Sequence, residues 1–199
     1  AQESRGLGDV YKRQVKTGPH TVRSVGMAMA MQGSGIGGVD VGSVQLKLND
    51  DGFYTLMIGC SDMGTGCDTI LAQMAADGLG CDMDNIIVRG VDTDQSPYDS
   101  GSYASSTTYV TGGAVVKACE SMRKRICEEA AAIMGLKSGE VDFDGETISE
   151  NVNPEHSMTL SDLITSLEAG NGRIIEVTES HTSPVSPPPF MAVSYTHLR

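Results

Sequence analysis

Between Phe53 and Val91 the chain leaves few topologies open. FYTLMIG (53–59) reads as a strand, SDMGTG (61–66) as a glycine-rich turn, and CDTILAQMAADGLG (67–80) as a helix. Ile70/Leu71, Met74/Ala75 and Leu79 supply the helical stripe, and NIIVRGV (85–91) follows as a buried strand. Strand, helix, strand in this order predicts a crossover unit. Upstream, Val44, Leu46 and Leu48 alternate over Ser43–Asn49, and Asp50, Asp51 and Gly52 make a tight turn into Phe53. These two runs predict a hairpin joined to the crossover.

The flanking segments extend the same class. VGMAMAMQ (25–32) alternates strictly, with Met27, Met29 and Met31 on one face, and predicts another strand. Residues 92–104 are a polar loop. Ser105 to Met134 carries the longest helical pattern, through Val115, Ala118/Cys119, Met122, Ile126 and Ile133. Gly112 and Gly113 interrupt it, as a kink or a close backbone approach would. A small hairpin is expected over 139–150, turning at Asp144 and Gly145. Thr159 and Asp162 approximate a capping box for a short helix through Leu160, Leu163, Ile164 and Leu167, ending at Gly170. RIIEVTE (173–179) reads as a strand and SPVSPPPFMA (183–192) as extended chain. The expected fold is therefore α+β, with mixed β-sheets and crossover helices.

Charge and composition exclude several functions. The chain has 199 residues, 39% of them hydrophobic and 20% charged, enough for a real core without disulfide or metal staples. Its formal net charge of −12 argues against nucleic-acid or anionic-membrane binding. No apolar run approaches the roughly 18 residues that a membrane span needs, and no secretory signal is evident. Cys60, Cys67, Cys81, Cys119 and Cys127 lack the common zinc and iron–sulfur spacings. An odd number without a secretory signal predicts reduced thiols in the cytoplasm. His20, His156, His181 and His197 are scattered, so no histidine-built metal site is expected.

Residues 1–14 and 194–199 show no period and resemble translated sequencing-adapter sequence. They are set apart from fold reasoning. Residues 15–193 then read as an internal piece of a longer protein.

Three loops could carry chemistry. Gln32–Gly38 matches G-x-G-x-x-G at Gly33, Gly35 and Gly38, yet strand and hairpin follow it where a dinucleotide fold needs a helix. It is either a connection between strands or a loop whose amides approach a ligand. Gly59–Thr69 runs from strand through glycine loop to helix, an arrangement that aims amides and the positive helix end at an anion. It lacks a P-loop lysine. Asp62 and Asp68 would repel phosphate if they faced it, so Asp62 is expected to accept from loop amides and Asp68 to sit in the helix's first turn. Asp99–Thr108 places a run of hydroxyls at a helix start, more than capping requires. Asp92 and Asp94 could suit a divalent cation, but acidic loop residues are common.

The order VGMAMAMQGSGI, LNDDG, SDMGTGCDTILAQMA, DTDQSPYDSGSYASSTTYVTGGAVVKA and SPPPF resembles the molybdenum hydroxylase family. The likeness is to the molybdopterin-binding large subunit of xanthine dehydrogenases and aldehyde oxidoreductases, nearest the bacterial xanthine dehydrogenase branch. It covers residues 24–192. The resemblance implies that Met63, Gly64 and Thr65 contact the pterin and diphosphate. It implies that Ser105, Thr107 and Thr108 hold the dinucleotide, and that Ala104 lies near molybdenum and substrate. The implied cofactor is molybdopterin cytosine dinucleotide with molybdenum, serving a small-molecule substrate such as a purine or an aldehyde. Iron–sulfur clusters and FAD are implied on partner subunits or domains. The metal is held by the pterin, and no catalytic residue falls in this stretch, so the chain alone is expected to be inactive. Thr65 stands where many relatives have glutamine, and Gly37 where the bacterial pattern usually has proline. The competing reading is a non-catalytic α+β domain that binds a phosphate-bearing ligand through its glycine-rich loops.

Overall fold

The computed structural model describes residues 15–24, 36–103 and 106–184. The chain divides into two units, residues 1–32 and 33–199. In the first, β1 (Val15–Lys16) pairs antiparallel with β2 (Val22–Arg23) as a two-stranded hairpin. The strand expected over 25–32 lies outside the described residues, as does residue 185 onward of the expected extended segment.

The second unit is built on a four-stranded mixed sheet. β3 (Val41–Leu48) and β4 (Tyr54–Ile58) form the expected antiparallel hairpin, and α1 (Cys67–Leu79) returns the chain to β5 (Ile86–Gly90), parallel to β4. β9 (Glu176–Thr182) completes the order β5-β4-β3-β9. The alternation seen in sequence becomes the buried face: Val44, Leu46, Leu48, Tyr54, Leu56 and Ile58 all point into the core. β5 is an edge strand, buried at Ile86 but exposed by Arg89 and Gly90, rather than buried throughout.

The helices cover that face. α1 buries Leu71, Ala72, Ala75, Ala76 and Leu79, and Gly80 ends it in the left-handed conformation with its N–H on Ala76 O. α2 (Thr107–Met134) is continuous through Gly112 and Gly113. Those glycines serve close approach: a Cβ on Gly112 would stand 2.8 Å from Met74 Cε, and one on Gly113 2.5 Å from the His181 ring. Ile133, read from periodicity as part of the buried stripe, is exposed, and Ala130 and Ala131 close the contact instead.

A smaller antiparallel sheet follows: β6 (Val141–Phe143), β7 (Thr147–Glu150) and β8 (Ser157–Thr159). Its third strand was not read from sequence. Thr159 caps α3 (Leu160–Asn171), its Oγ1 accepting from Asp162 N while Asp162 Oδ2 accepts from Thr159 N. The helix runs past Gly170 and stops at Gly172, which takes the left-handed conformation. Phe143, Ile148 and Leu163 join this sheet and helix to the main core. Together these elements make an α+β fold of mixed sheets with crossover helices.

Candidate functional site

The described parts of the glycine loop and of the hydroxyl loop meet at one end of the main sheet, beyond the carboxyl ends of the parallel pair β4 and β5. In open sheets of this kind ligands lie outside the strand carboxyl ends. Ser100 is laced to the start of β3: its N–H donates to Val41 O and its Oγ accepts from Val41 N, both at 2.8 Å. Ser102 Oγ donates to Ser61 O at 2.8 Å, tying the hydroxyl loop to the glycine loop. Asp99 accepts from Gly101 N and from Thr111 Oγ1, fixing the loop to the first turns of α2.

The glycine loop carries its own anion. Asp62 Oδ1 accepts from Gly64 N at 2.8 Å and from Gly66 N at 3.1 Å. These bonds, Gly64 first, hold the Asp62 carboxyl below its ordinary range. Asp68 sits in the first turn of α1, where a carboxylate suits the helix dipole. Both aspartates thus behave as expected. The free amides anticipated at this loop are nevertheless spent, because Asp62 already takes those of Gly64 and Gly66. What the loop offers outward is Met63, Gly64 and Thr65, all exposed. Gly64 (φ +98°) and Gly66 (φ +73°) adopt backbone that favours glycine, and a Cβ at either would meet open space.

The start of α2 is different. Ser106, its N-cap, is buried, and its hydroxyl donates back to Tyr103 O at 2.8 Å instead of capping. Among the described residues no side chain caps this helix. Thr107 is half-buried and Thr108 exposed beside it. An uncapped start of a 28-residue helix, flanked by hydroxyls, fits a phosphate-bearing group. Ala104 and Ser105 lie outside the described residues. Of the first loop only Ile36–Gly38 is described, and β3 rather than a helix follows it, which removes the dinucleotide-fold reading.

Among the described residues, side chains give metal binding little support. Asp62, Cys67 and Asp68 bring ligand-type atoms within 4.8 Å of one another, a cluster the sequence reading did not single out. It sits at the positive end of α1, which disfavours a cation, and an Asp62 oxygen is committed to amides. Asp92 organises its own turn, accepting from Asp94 N and Gln95 Nε2. All five cysteines are free thiols. Burial, with Asp99 nearby, pushes Cys60 up to about 12, so it stays protonated at neutral pH. No described helix is long and apolar enough to cross a membrane.

Comparisons with known proteins bear on the fold and the family. Over 110 residues the chain is 38% identical to the protein named "Probable hypoxanthine oxidase XdhD" of Escherichia coli (strain K12), covering 55% of this chain and 12% of that one. The fold superposes on CO dehydrogenase from Oligotropha carboxidovorans with a TM-score of 0.65 and 23% identity, over 72% of this chain and 18% of that one. It also superposes on the aldehyde oxidoreductase from Desulfovibrio desulfuricans, at a TM-score of 0.51 and 27% identity, over 76% of this chain and 14% of that one. The chain thus spans less than a fifth of the proteins it matches. The family description that matches residues 5–197 is the molybdopterin cofactor-binding domain. The chain belongs to the molybdopterin cofactor-binding domain family.

Proposed function

We propose that this chain holds molybdopterin cytosine dinucleotide in an oxidoreductase that hydroxylates N-heterocycles such as purines, or aldehydes, with oxygen derived from water. The observation that carries the reading is the uncapped start of α2, tied through Ser102 and Ser61 to the glycine loop. Thr107 and Thr108 would donate from the helix start to the dinucleotide phosphates, with Ser105 beside them. Met63, Gly64 and Thr65, all exposed, would contact the pterin and diphosphate, with Gly64 leaving no side chain between its backbone and the ligand. By its resemblance to the family, Ala104 would lie near the metal and substrate. The bound cofactor supplies the metal centre and the two-electron chemistry. The chain's own residues bind and orient it.

Purines are favoured over aldehydes by the 38% identical relative, whose name refers to hypoxanthine. Electrons would leave through iron–sulfur and FAD subunits or domains of a cytoplasmic complex, and the isolated chain would be inactive. The family match favours this reading over a non-catalytic phosphate-binding domain.

The test is metal and nucleotide analysis of the intact enzyme, purified with its partners. Molybdenum and cytidine monophosphate, released by acid, are expected in one-to-one ratio with the chain. A correctly folded sample containing neither overturns the proposal.

A further inference from the structure

Asp40 is a buried carboxylate, 1% exposed, with no ion-pair partner among the described residues. A buried charge of this kind is costly unless hydrogen bonds satisfy it. Oδ2 accepts from Ile36 N at 2.8 Å, and Oδ1 accepts from the Tyr103 hydroxyl. The Asp40 carbonyl accepts from Thr182 Oγ1 at 2.7 Å, anchoring the residue to the end of β9. The carboxylate is therefore held from one side by its own loop and the sheet. It grips the hydroxyl loop on the other through a single phenol.

Tyr103 passes that constraint to the helix. Its carbonyl accepts twice from Ser106, from N at 3.0 Å and from Oγ at 2.8 Å. Serine at an N-cap ordinarily accepts from a first-turn amide. Here the hydroxyl is drawn back to Tyr103, and the first-turn amides of α2 are left for another acceptor. The hydrogen bond to Asp40 also raises the Tyr103 hydroxyl above its ordinary pKa.

We infer that Asp40 is a positioning residue for cofactor binding: through Tyr103 it keeps Ser106 turned away from its capping position, and so keeps the start of α2 open to the cofactor's phosphates. The inference rests on the cofactor reading above and adds a residue 67 positions upstream of the helix. Without the clasp Tyr103 can shift, and the Ser106 hydroxyl becomes a competitor for the same amides.

The experiment follows release of the pterin from the intact, cofactor-loaded enzyme, by fluorescence of the oxidised pterin, at a temperature where circular dichroism shows every variant folded. Tyr103→Phe and Asp40→Ala are expected to speed release about tenfold, the loss of one charge-assisted hydrogen bond. Asp40→Asn can still bond both neighbours and is expected to stay within about threefold of the parent. Adding Ser106→Ala to Tyr103→Phe removes the competitor and is expected to restore most of the retention. Release at the parent rate in Tyr103→Phe overturns the inference, as does failure of Ser106→Ala to restore it. If Asp40→Ala does not fold, the two Tyr103→Phe measurements decide alone. A parent enzyme that holds no pterin defeats the cofactor reading instead, so the two failures are distinct.

Discussion

The carbonyl oxygen of Pro97 lies 2.2 Å from the point where a Cβ on Gly59 would stand, and Asp99 Cβ lies 2.8 Å from it. The end of β4 and the hydroxyl loop therefore touch backbone to backbone, and only glycine permits it. Gly59→Ala should push the loops apart, strain the Ser102–Ser61 bond and lower stability by about 1–3 kcal/mol, as overpacking does. Thermal unfolding reads the stability. On the proposed function, pterin content of the intact enzyme should also fall beyond what the change in Tm explains, because the gap opens between the two loops assigned to the cofactor.

Gly64 and Thr107 separate structural from binding effects. Gly64 has φ of +98°, so Gly64→Ala should cost about 1 kcal/mol in backbone strain despite the open space around it. Thr107 is half-buried and caps nothing. Thr107→Ala should leave stability within about 0.5 kcal/mol of the parent. On the proposed function it should still reduce bound cytosine nucleotide, about fivefold for one lost hydrogen bond. Equal nucleotide content in the two Thr107 forms would remove that residue from the site.

Asp62 makes the glycine loop sensitive to acid. Its folded pKa lies below the ordinary 3.8, because the amides of Gly64 and Gly66 favour the charged form. The stabilisation is therefore present above about pH 4 and is lost as pH falls through the lowered value. Hydrogen exchange at Gly64 and Gly66, corrected for intrinsic rate, should accelerate in that range. In Asp62→Ala it should be fast already at neutral pH and lose its acid step. An unchanged exchange profile in Asp62→Ala would show that the loop is held by something else.

Most of this architecture is visible in residue patterns, and the exceptions have physical causes. The β3–β4 hairpin and the crossover through α1 rest on strong local alternation, so both emerge from sequence. β8 does not, since a three-residue strand with two polar residues is too short to show a period, and its pairing, with Met158 opposite Ile148, is set by the fold. β9 is bounded at Glu176, three residues after the start of the run RIIEVTE, although Ile175 is buried and its carbonyl already accepts from Leu48 N of β3 at 2.9 Å. At the site the residue types were legible but not their meeting. Ser102 and Ser61 are 41 residues apart, and Asp40 and Tyr103 are 63. No local period encodes those distances. Sequence predicts Asp62 as an acceptor for loop amides, but which amides it takes, those of Gly64 and Gly66, depends on the folded turn.

Arg123 joins the small sheet to the main core. From α2 its Nη1 donates to Leu79 O at 3.1 Å and its Nη2 donates to Phe143 O, while the guanidinium stands 5.4 Å from the centre of the Phe143 ring. Its contact with Asp142 is long, at 4.0 Å, and that carboxylate is largely exposed, so the ion pair contributes little. The two carbonyls matter more, because a side chain that cannot donate leaves both unsatisfied at a packed junction. Arg123→Met keeps the stem and removes the donors. It should destabilise by about 2–3 kcal/mol, from two hydrogen bonds to a charged donor and a cation–π contact. Arg123→Lys, with a point charge in place of a planar fork, should recover only part of this. Chemical denaturation measures both. The loss should be insensitive to added salt up to about 0.5 M, since screening acts mainly on the exposed Asp142 contact. A strongly salt-dependent loss would instead assign the junction to the ion pair.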